Sequence, residues 1–226
     1  MTLLIYDCDG VLVDSELLAN AALADLMTSL GYPMTAAEAV PIFTGRSLQD
    51  VMRQAEKLLQ KRIPEDAGAQ AGRKLLDLFR RKLKPIAGVE KAILSLPYRR
   101  CVASSSVPER LMLSLEVTGL APLFGADVFS ATQVARGKPA PDLFLFAAKC
   151  VGVDPSHCIV IEDSPLGIEA ARAAGMAPIG FVGGSHATPA LAEKLRAAGA
   201  DAVVRSMAEL PGTVERIVAA LPNVPT

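Results

Sequence analysis

The sequence predicts an α/β protein, a parallel sheet covered by helices on both faces and interrupted once by an all-helical insertion. Three observations predict it. Short apolar runs of strand length recur along the chain, each closed by small or polar residues. Segments with apolar residues three and four apart separate most of them, an alternation that favours parallel strands joined by crossover helices. The composition, 51% hydrophobic with 4% aromatic and no Trp over 226 residues, supplies the aliphatic core such strands require.

The strand-like runs are Leu3–Tyr6, Cys101–Ala103, Ala126–Phe129, Cys158–Ile161, Ile179–Val182 and Ala202–Val204. Helical spacing marks Leu111–Leu120, Asp142–Val151, Gly167–Ala174 and Pro189–Ala198. Gly119, Gly152, Gly175 and Gly199 each follow a helical run, where a left-handed residue is expected to close the helix. From about Glu16 to Lys82 no strand is expected. Leu17–Leu30, Ala36–Phe43, Leu48–Lys61 and Glu65–Lys82 read instead as four helices, separated by Gly31-Tyr32-Pro33, Gly45-Arg46-Ser47 and Ile63-Pro64. The chain therefore divides into a core, 1–15 with 83–226, and an insertion, 16–82. The two crossings, near Val13–Ser15 and Leu83–Pro85, are expected close together, where they can act as a hinge.

Charge and composition exclude several classes of partner. Lys plus Arg number 23 and Asp plus Glu 24, a net charge of −1 without a basic run, which gives no purchase on nucleic acid or an anionic membrane. No run approaches the ~18 apolar residues needed to span a bilayer. The opening MTLLIY is too short and uncharged for a signal peptide. None of the four cysteines forms a CxxC pair, and Cys8, Cys101 and Cys158 sit in or beside strand-like runs as small hydrophobes. A metabolic protein in the reduced cytoplasm, monomeric by default, is the expectation.

Ligands of a parallel sheet bind at the carboxyl ends of its strands. There the chain places Asp7-Cys8-Asp9-Gly10, Ser104-Ser105-Ser106 and Glu162-Asp163-Ser164-Pro165, with a nearby loop, Gly137-Lys138-Pro139-Ala140-Pro141-Asp142. Alternation puts Asp7 and Asp9 on one side and Cys8 on the other. Asp7 and Asp9 converging with Asp163 make an all-oxygen site suited to Mg²⁺, which also lets an anionic Asp7 approach an anionic phosphate. Lys138 adds positive charge, and Ser104 can grip the non-bridging oxygens. Asp7 is then placed to form an aspartyl-phosphate, and Asp9 to protonate the leaving oxygen and deprotonate the attacking water. Ser106-Val107-Pro108-Glu109 has capping-box spacing, so Ser106 is expected to be structural, and Ser164-Pro165 to open a helix.

The run DCDGVLVDSE, residues 7–16, resembles the opening motif of the haloacid dehalogenase-like hydrolases. Ser104 after its strand, Lys138 in GKPAPD and Glu162-Asp163 in IVIEDSPLGIEAARAAG follow in that family's order. The resemblance spans essentially the whole chain. It implies a Rossmann-like core with a helical cap inserted after the first motif, Asp7 as nucleophile and Asp9 as acid/base. It further implies Mg²⁺ on Asp7, the Asp9 carbonyl and Asp163, supported by Glu162, and a phosphoryl group held by Ser104, Ser105 and Lys138. Dehalogenating members generally lack the second aspartate, present here as Asp9.

Within the family the chain is most similar to the β-phosphoglucomutase-like and sugar-phosphate phosphatase branch. Phe43-Thr44-Gly45-Arg46-Ser47-Leu48 resembles that branch's cap loop, which implies that Gly45 and Arg46 contact a second anionic group of the substrate. Ala19 and Val107 stand where the mutases have His and Lys. Hydrolysis of a small phosphorylated metabolite is therefore expected ahead of a mutase, and both ahead of a non-catalytic phosphate-binding module, which has no need of a nucleophile and an acid/base together.

Overall fold

The computed structural model describes residues 1–43 and 48–221. Its first half runs β1 (Leu3–Tyr6), α1 (Glu16–Ser29), α2 (Ala36–Phe43), α3 (Leu48–Leu59), α4 (Ala67–Lys82), α5 (Val89–Leu94), β2 (Arg99–Ser104), α6 (Pro108–Val117) and α7 (Ala121–Phe124). There follow β3 (Val128–Ser130), α8 (Asp142–Val151), β4 (Cys158–Glu162), α9 (Pro165–Ala173), β5 (Ala177–Phe181), α10 (Leu191–Ala197), β6 (Ala202–Val204) and α11 (Leu210–Val218).

The strands form one parallel sheet in the order β3-β2-β1-β4-β5-β6. This is the Rossmann-like α/β architecture. The chain moves outward from β1 through β2 and β3, then crosses back to place β4 on the other side of β1. The order thus reverses at the β1/β4 pair, the position where doubly wound sheets open a crevice for ligands. Every residue of β1 and β4 is buried, as expected of central strands covered on both faces. On one face Leu3, Ile5, Cys101, Ala103 and Val160 pack with Leu143, Phe144 and Ala147 of α8 and with Ala170 and Ala171 of α9.

The chain separates into two compact units, Met1–Asp14 with Lys84–Thr226 and Ser15–Leu83. The second holds α1 to α4 and no strand among its described residues. Ala24, Met27, Ala39, Phe43, Val51 and Ala55 form one small core there, and Leu26, Ala67 and Ala71 another. Its α2 begins with a reciprocal cap, the Glu38 N–H donating to Thr35 Oγ1 at 3.3 Å and the Thr35 N–H to Glu38 Oε2 at 2.8 Å. Inside the first unit the two crossings run side by side. The Asp14 N–H donates to the Lys84 carbonyl at 3.0 Å and the Ile86 N–H to the Leu12 carbonyl at 2.9 Å.

Helices close where glycines were expected to close them, with positive φ at Gly119, Gly152, Gly175 and Gly199. Three helices did not show in the pattern. α5 and α7 are six and four residues long, too short to display a helical period. α11 carries Pro211 and Gly212 in its first turn, where proline is tolerated but reads as a breaker, yet Leu210, Thr213 and Val214 face inward at helical spacing.

Candidate active site

Asp7 is the residue after β1, and its N–H donates to the Ile161 carbonyl at 3.0 Å, so the β1/β4 pairing carries on through it. That register sets Asp7 beside Glu162 and Asp163 at the end of β4. Among the described residues these three carboxylates form a cluster whose ligand oxygens lie within 4.8 Å of one another.

Lys138, from the loop between β3 and α8, enters this cluster. Its Nζ donates to Asp7 Oδ1 at 2.8 Å, to Glu162 Oε1 at 2.7 Å and to the Ala103 carbonyl at 3.1 Å. The Phe144 ring lies 4.9 Å from the same nitrogen. With 5% of its side chain exposed, Lys138 is not a solvated surface lysine. Burial alone would lower its pKa, but Asp7 and Glu162 more than offset that and raise it.

Each carboxylate has its own support. Glu162 Oε2 accepts from the Ser164 N–H at 3.0 Å and its hydroxyl at 2.9 Å, and Ser164 Oγ caps α9 by accepting from the Gly167 N–H at 3.0 Å. A Cβ on Gly167 would lie 1.9 Å from the Glu162 carboxyl group, so only glycine fits there. Asp163 Oδ2 meets His186 Nε2 at 3.0 Å. The loop carrying His186 is tied down in turn, since Asp14 Oδ1 accepts from the Ser185 N–H at 3.0 Å and its hydroxyl at 2.7 Å.

The Asp9 carboxylate is not among the three of this cluster. Its Oδ2 accepts from Ser106 Oγ at 2.6 Å and its Oδ1 from Arg110 Nη2 at 2.7 Å. The strand ends at Tyr6, so strict alternation does not carry Asp9 into the cluster beside Asp7. The Asp9 ligand that the family resemblance implies is its carbonyl, not this carboxylate. Ser104 is buried at the end of β2 and accepts from the Ser106 N–H at 3.1 Å, with Ser105 exposed next to it. Gly45 and Arg46 lie outside the described residues.

A second expectation is corrected. Ser106 does not cap α6, whose N-cap is Val107 and whose first residue is Pro108. The Ser-x-x-Glu spacing is out by one residue, and the Ser106 hydroxyl goes to Asp9 instead. Arg110 and His186 were also missed. Arg110 lies in the first turn of α6, and its partner Asp9 is far away in sequence, so no local pattern pointed to it. His186 offered none locally, because its partner belongs to a different strand end.

Three carboxylates around one lysine leave an excess of negative charge. Burial raises the pKa of Asp7 well above the usual carboxylate range, with Lys138 opposing and Glu162 and Asp163 adding to the rise. Burial likewise raises Asp163, against the His186 hydrogen bond. An all-oxygen donor set short of positive charge fits a hard divalent cation. Gly10 bears on the same point: at φ +77° it is left-handed, and a Cβ there would lie 1.8 Å from Asp163 Oδ2. Gly10→Ala is expected to displace Asp163 and to destabilise the fold by about 1–3 kcal/mol from backbone strain alone. Urea denaturation checks the stability, and calorimetric titration with Mg²⁺ checks the site.

The profile of the haloacid dehalogenase-like hydrolase family matches residues 4–181. The 6-phosphogluconate phosphatase of Escherichia coli is 26% identical over 195 residues, covering 84% of this chain and 86% of that protein. The fructose-1-phosphate phosphatase of the same organism is 33% identical over 179 residues, 76% of this chain and 92% of that one. Among solved structures, a conserved haloacid dehalogenase-like protein of unknown function from Agrobacterium tumefaciens superposes with a TM-score of 0.86. It is 38% identical, over 96% of this chain and 99% of that chain.

Proposed function

This chain belongs to the haloacid dehalogenase-like hydrolase family, and from that premise we propose that it is a magnesium-dependent phosphatase acting through an aspartyl-phosphate on Asp7. Its substrate is a small phosphorylated sugar or sugar acid. The observation that carries this reading is the Lys138 ammonium shared between Asp7 and Glu162, with Asp163 completing the cluster. Asp7, Asp163 and the Asp9 carbonyl would hold the cation, which supplies the positive charge that lets a carboxylate meet a phosphate dianion. Glu162, with both oxygens already in hydrogen bonds, supports the cluster by fixing Lys138.

The protein groups then have separable tasks. Lys138, Ser104 and Ser105 hold the phosphoryl oxygens. Ser104 Oγ accepts from the Ser106 N–H, which leaves its own proton to donate to the phosphoryl group. Asp7 attacks phosphorus as the bond to the leaving oxygen breaks, and Asp9 gives that oxygen its proton. Asp9 then takes a proton from water, which attacks phosphorus, releases inorganic phosphate and restores the Asp7 carboxylate.

Selection of the organic part falls to the helical insertion, with Gly45 and Arg46 meeting a second anionic group, a phosphate or carboxylate. The relatives named for 6-phosphogluconate and fructose-1-phosphate support a phosphosugar. Val107 at the α6 N-cap has no group to donate to a substrate, which supports hydrolysis over transfer between sugars. The four cysteines are unbridged, in keeping with a reduced cytoplasmic setting, and no described helix is long and apolar enough to cross a membrane.

The test is phosphate release from a panel of hexose phosphates, phosphosugar acids and nucleotides, with Mg²⁺ and with EDTA. Metal-dependent release, strongest on phosphosugars, is expected. Release that persists in EDTA would refute the cation's role, and interconversion of sugar phosphates without release would make the enzyme a mutase.

A further inference from the structure

Asp9 is gripped at both carboxylate oxygens by one short segment. Arg110 Nη2 stands 2.7 Å from Oδ1 and Ser106 Oγ 2.6 Å from Oδ2. A carboxylate held at one oxygen can pivot about that contact, whereas anchors on both oxygens fix its rotation. One of the two donors is a charged guanidinium, which makes the stronger class of hydrogen bond.

The grip is itself anchored to the sheet. The Ser106 N–H donates to Ser104 Oγ at 3.1 Å, and the Ser106 carbonyl accepts from Ser130 Oγ at 2.7 Å. The Ser130 N–H donates in turn to Gln133 Oε1 at 2.7 Å. A polar chain thus runs from the ends of β2 and β3 to Asp9, and Arg110 closes it from the first turn of α6.

We propose that Arg110 is a positioning residue for the proton transfers of Asp9, orienting the carboxylate toward the leaving oxygen and then toward the attacking water. The inference rests on the acid/base role assigned to Asp9 above. As a plain ion pair, its side chains only 24% and 15% exposed, the Arg110–Asp9 contact would matter to stability and not to the choice of leaving group. As an orienting device it matters to the rate, since misplacing a reacting group by about 1 Å costs on the order of a hundredfold in rate.

Leaving-group dependence separates the two. A sugar alkoxide must be protonated as it departs, whereas p-nitrophenolate leaves without help. The ratio kcat/KM reports the steps up to aspartyl-phosphate formation, so the later hydrolysis does not blur it. Arg110→Ala is expected to lower kcat/KM for fructose-1-phosphate by about ten- to a hundredfold, and to leave p-nitrophenyl phosphate within about threefold. Arg110→Lys should restore part of the loss. Ser106→Ala, which removes the other anchor, should give the same pattern and carries the test if Arg110→Ala fails to fold. An equal loss on both substrates, or no loss on either, would overturn the proposal. Asp9→Ala keeps the two layers apart. If it spares fructose-1-phosphate hydrolysis, the acid/base reading itself is wrong; if it shows the selective loss and Arg110→Ala does not, only the role of Arg110 falls.

Discussion

Asp7→Asn is expected to lower kcat by about four orders of magnitude or more while leaving the fold intact or slightly more stable. The amide matches the carboxylate in size, so packing after β1 is preserved. It is not a nucleophile toward phosphorus at neutral pH. The stability half of the prediction follows from burial. Asp7 has its pKa pushed up because its charge is desolvated among other carboxylates, so removing that charge relieves the fold of a cost. Lys138 keeps Glu162 as a partner in the variant. Phosphate release and thermal unfolding measured on the same preparation check both halves. A variant that retained a tenth of wild-type activity would place the nucleophile elsewhere.

Lys138→Ala is expected to be damaging in a different way. It strips the cation from Asp7 and Glu162, two carboxylates buried with the lysine, and breaking such a pair typically costs about 3–5 kcal/mol. On the reading proposed above it also removes a charge that would meet the phosphoryl oxygens, a contribution of about a hundred- to a thousandfold in kcat for comparable preorganised donors. Urea denaturation should show a lowered midpoint, and added Mg²⁺ should recover part of the stability by returning positive charge to the cluster. A stability change below about 1 kcal/mol would mean that the lysine is no more than a surface pair.

How far the chain could be read without its structure depended on the range of the interaction. β1 and β4 were legible because central parallel strands are buried on both faces and show as unbroken apolar runs. Of the helices in the insertion, α3 and α4 were the most legible, because an apolar stripe at helical spacing runs along each and Gly and Pro set them off. α5 and α7 carry too few residues for that, and Pro211 and Gly212 disguised α11. At the site, the strand-end rule placed Asp7, Ser104, Glu162 and Asp163 on one edge of the sheet. It could not say that Lys138 would be buried against two of them, because that depends on a loop far along the chain. Nor could it separate the two ends of the Ser106 hydroxyl's choice, helix cap or Asp9, which differ by a single residue of register. His186 reaches Asp163 only because β5 lies beside β4, a neighbourhood that no local pattern announces.

The central claim is a covalent phosphoryl group on Asp7, and acid quenching during turnover tests it most directly. The enzyme would be mixed with the best substrate of the phosphate-release panel, its phosphoryl group radioactive, stopped within milliseconds, digested and mapped. Label on the peptide containing Asp7, acid-stable, lost on treatment with hydroxylamine and absent from Asp7→Asn, is the predicted result. Active turnover with no protein-bound label at any quench time, together with a single inversion at phosphorus, would contradict it and point to direct attack by water.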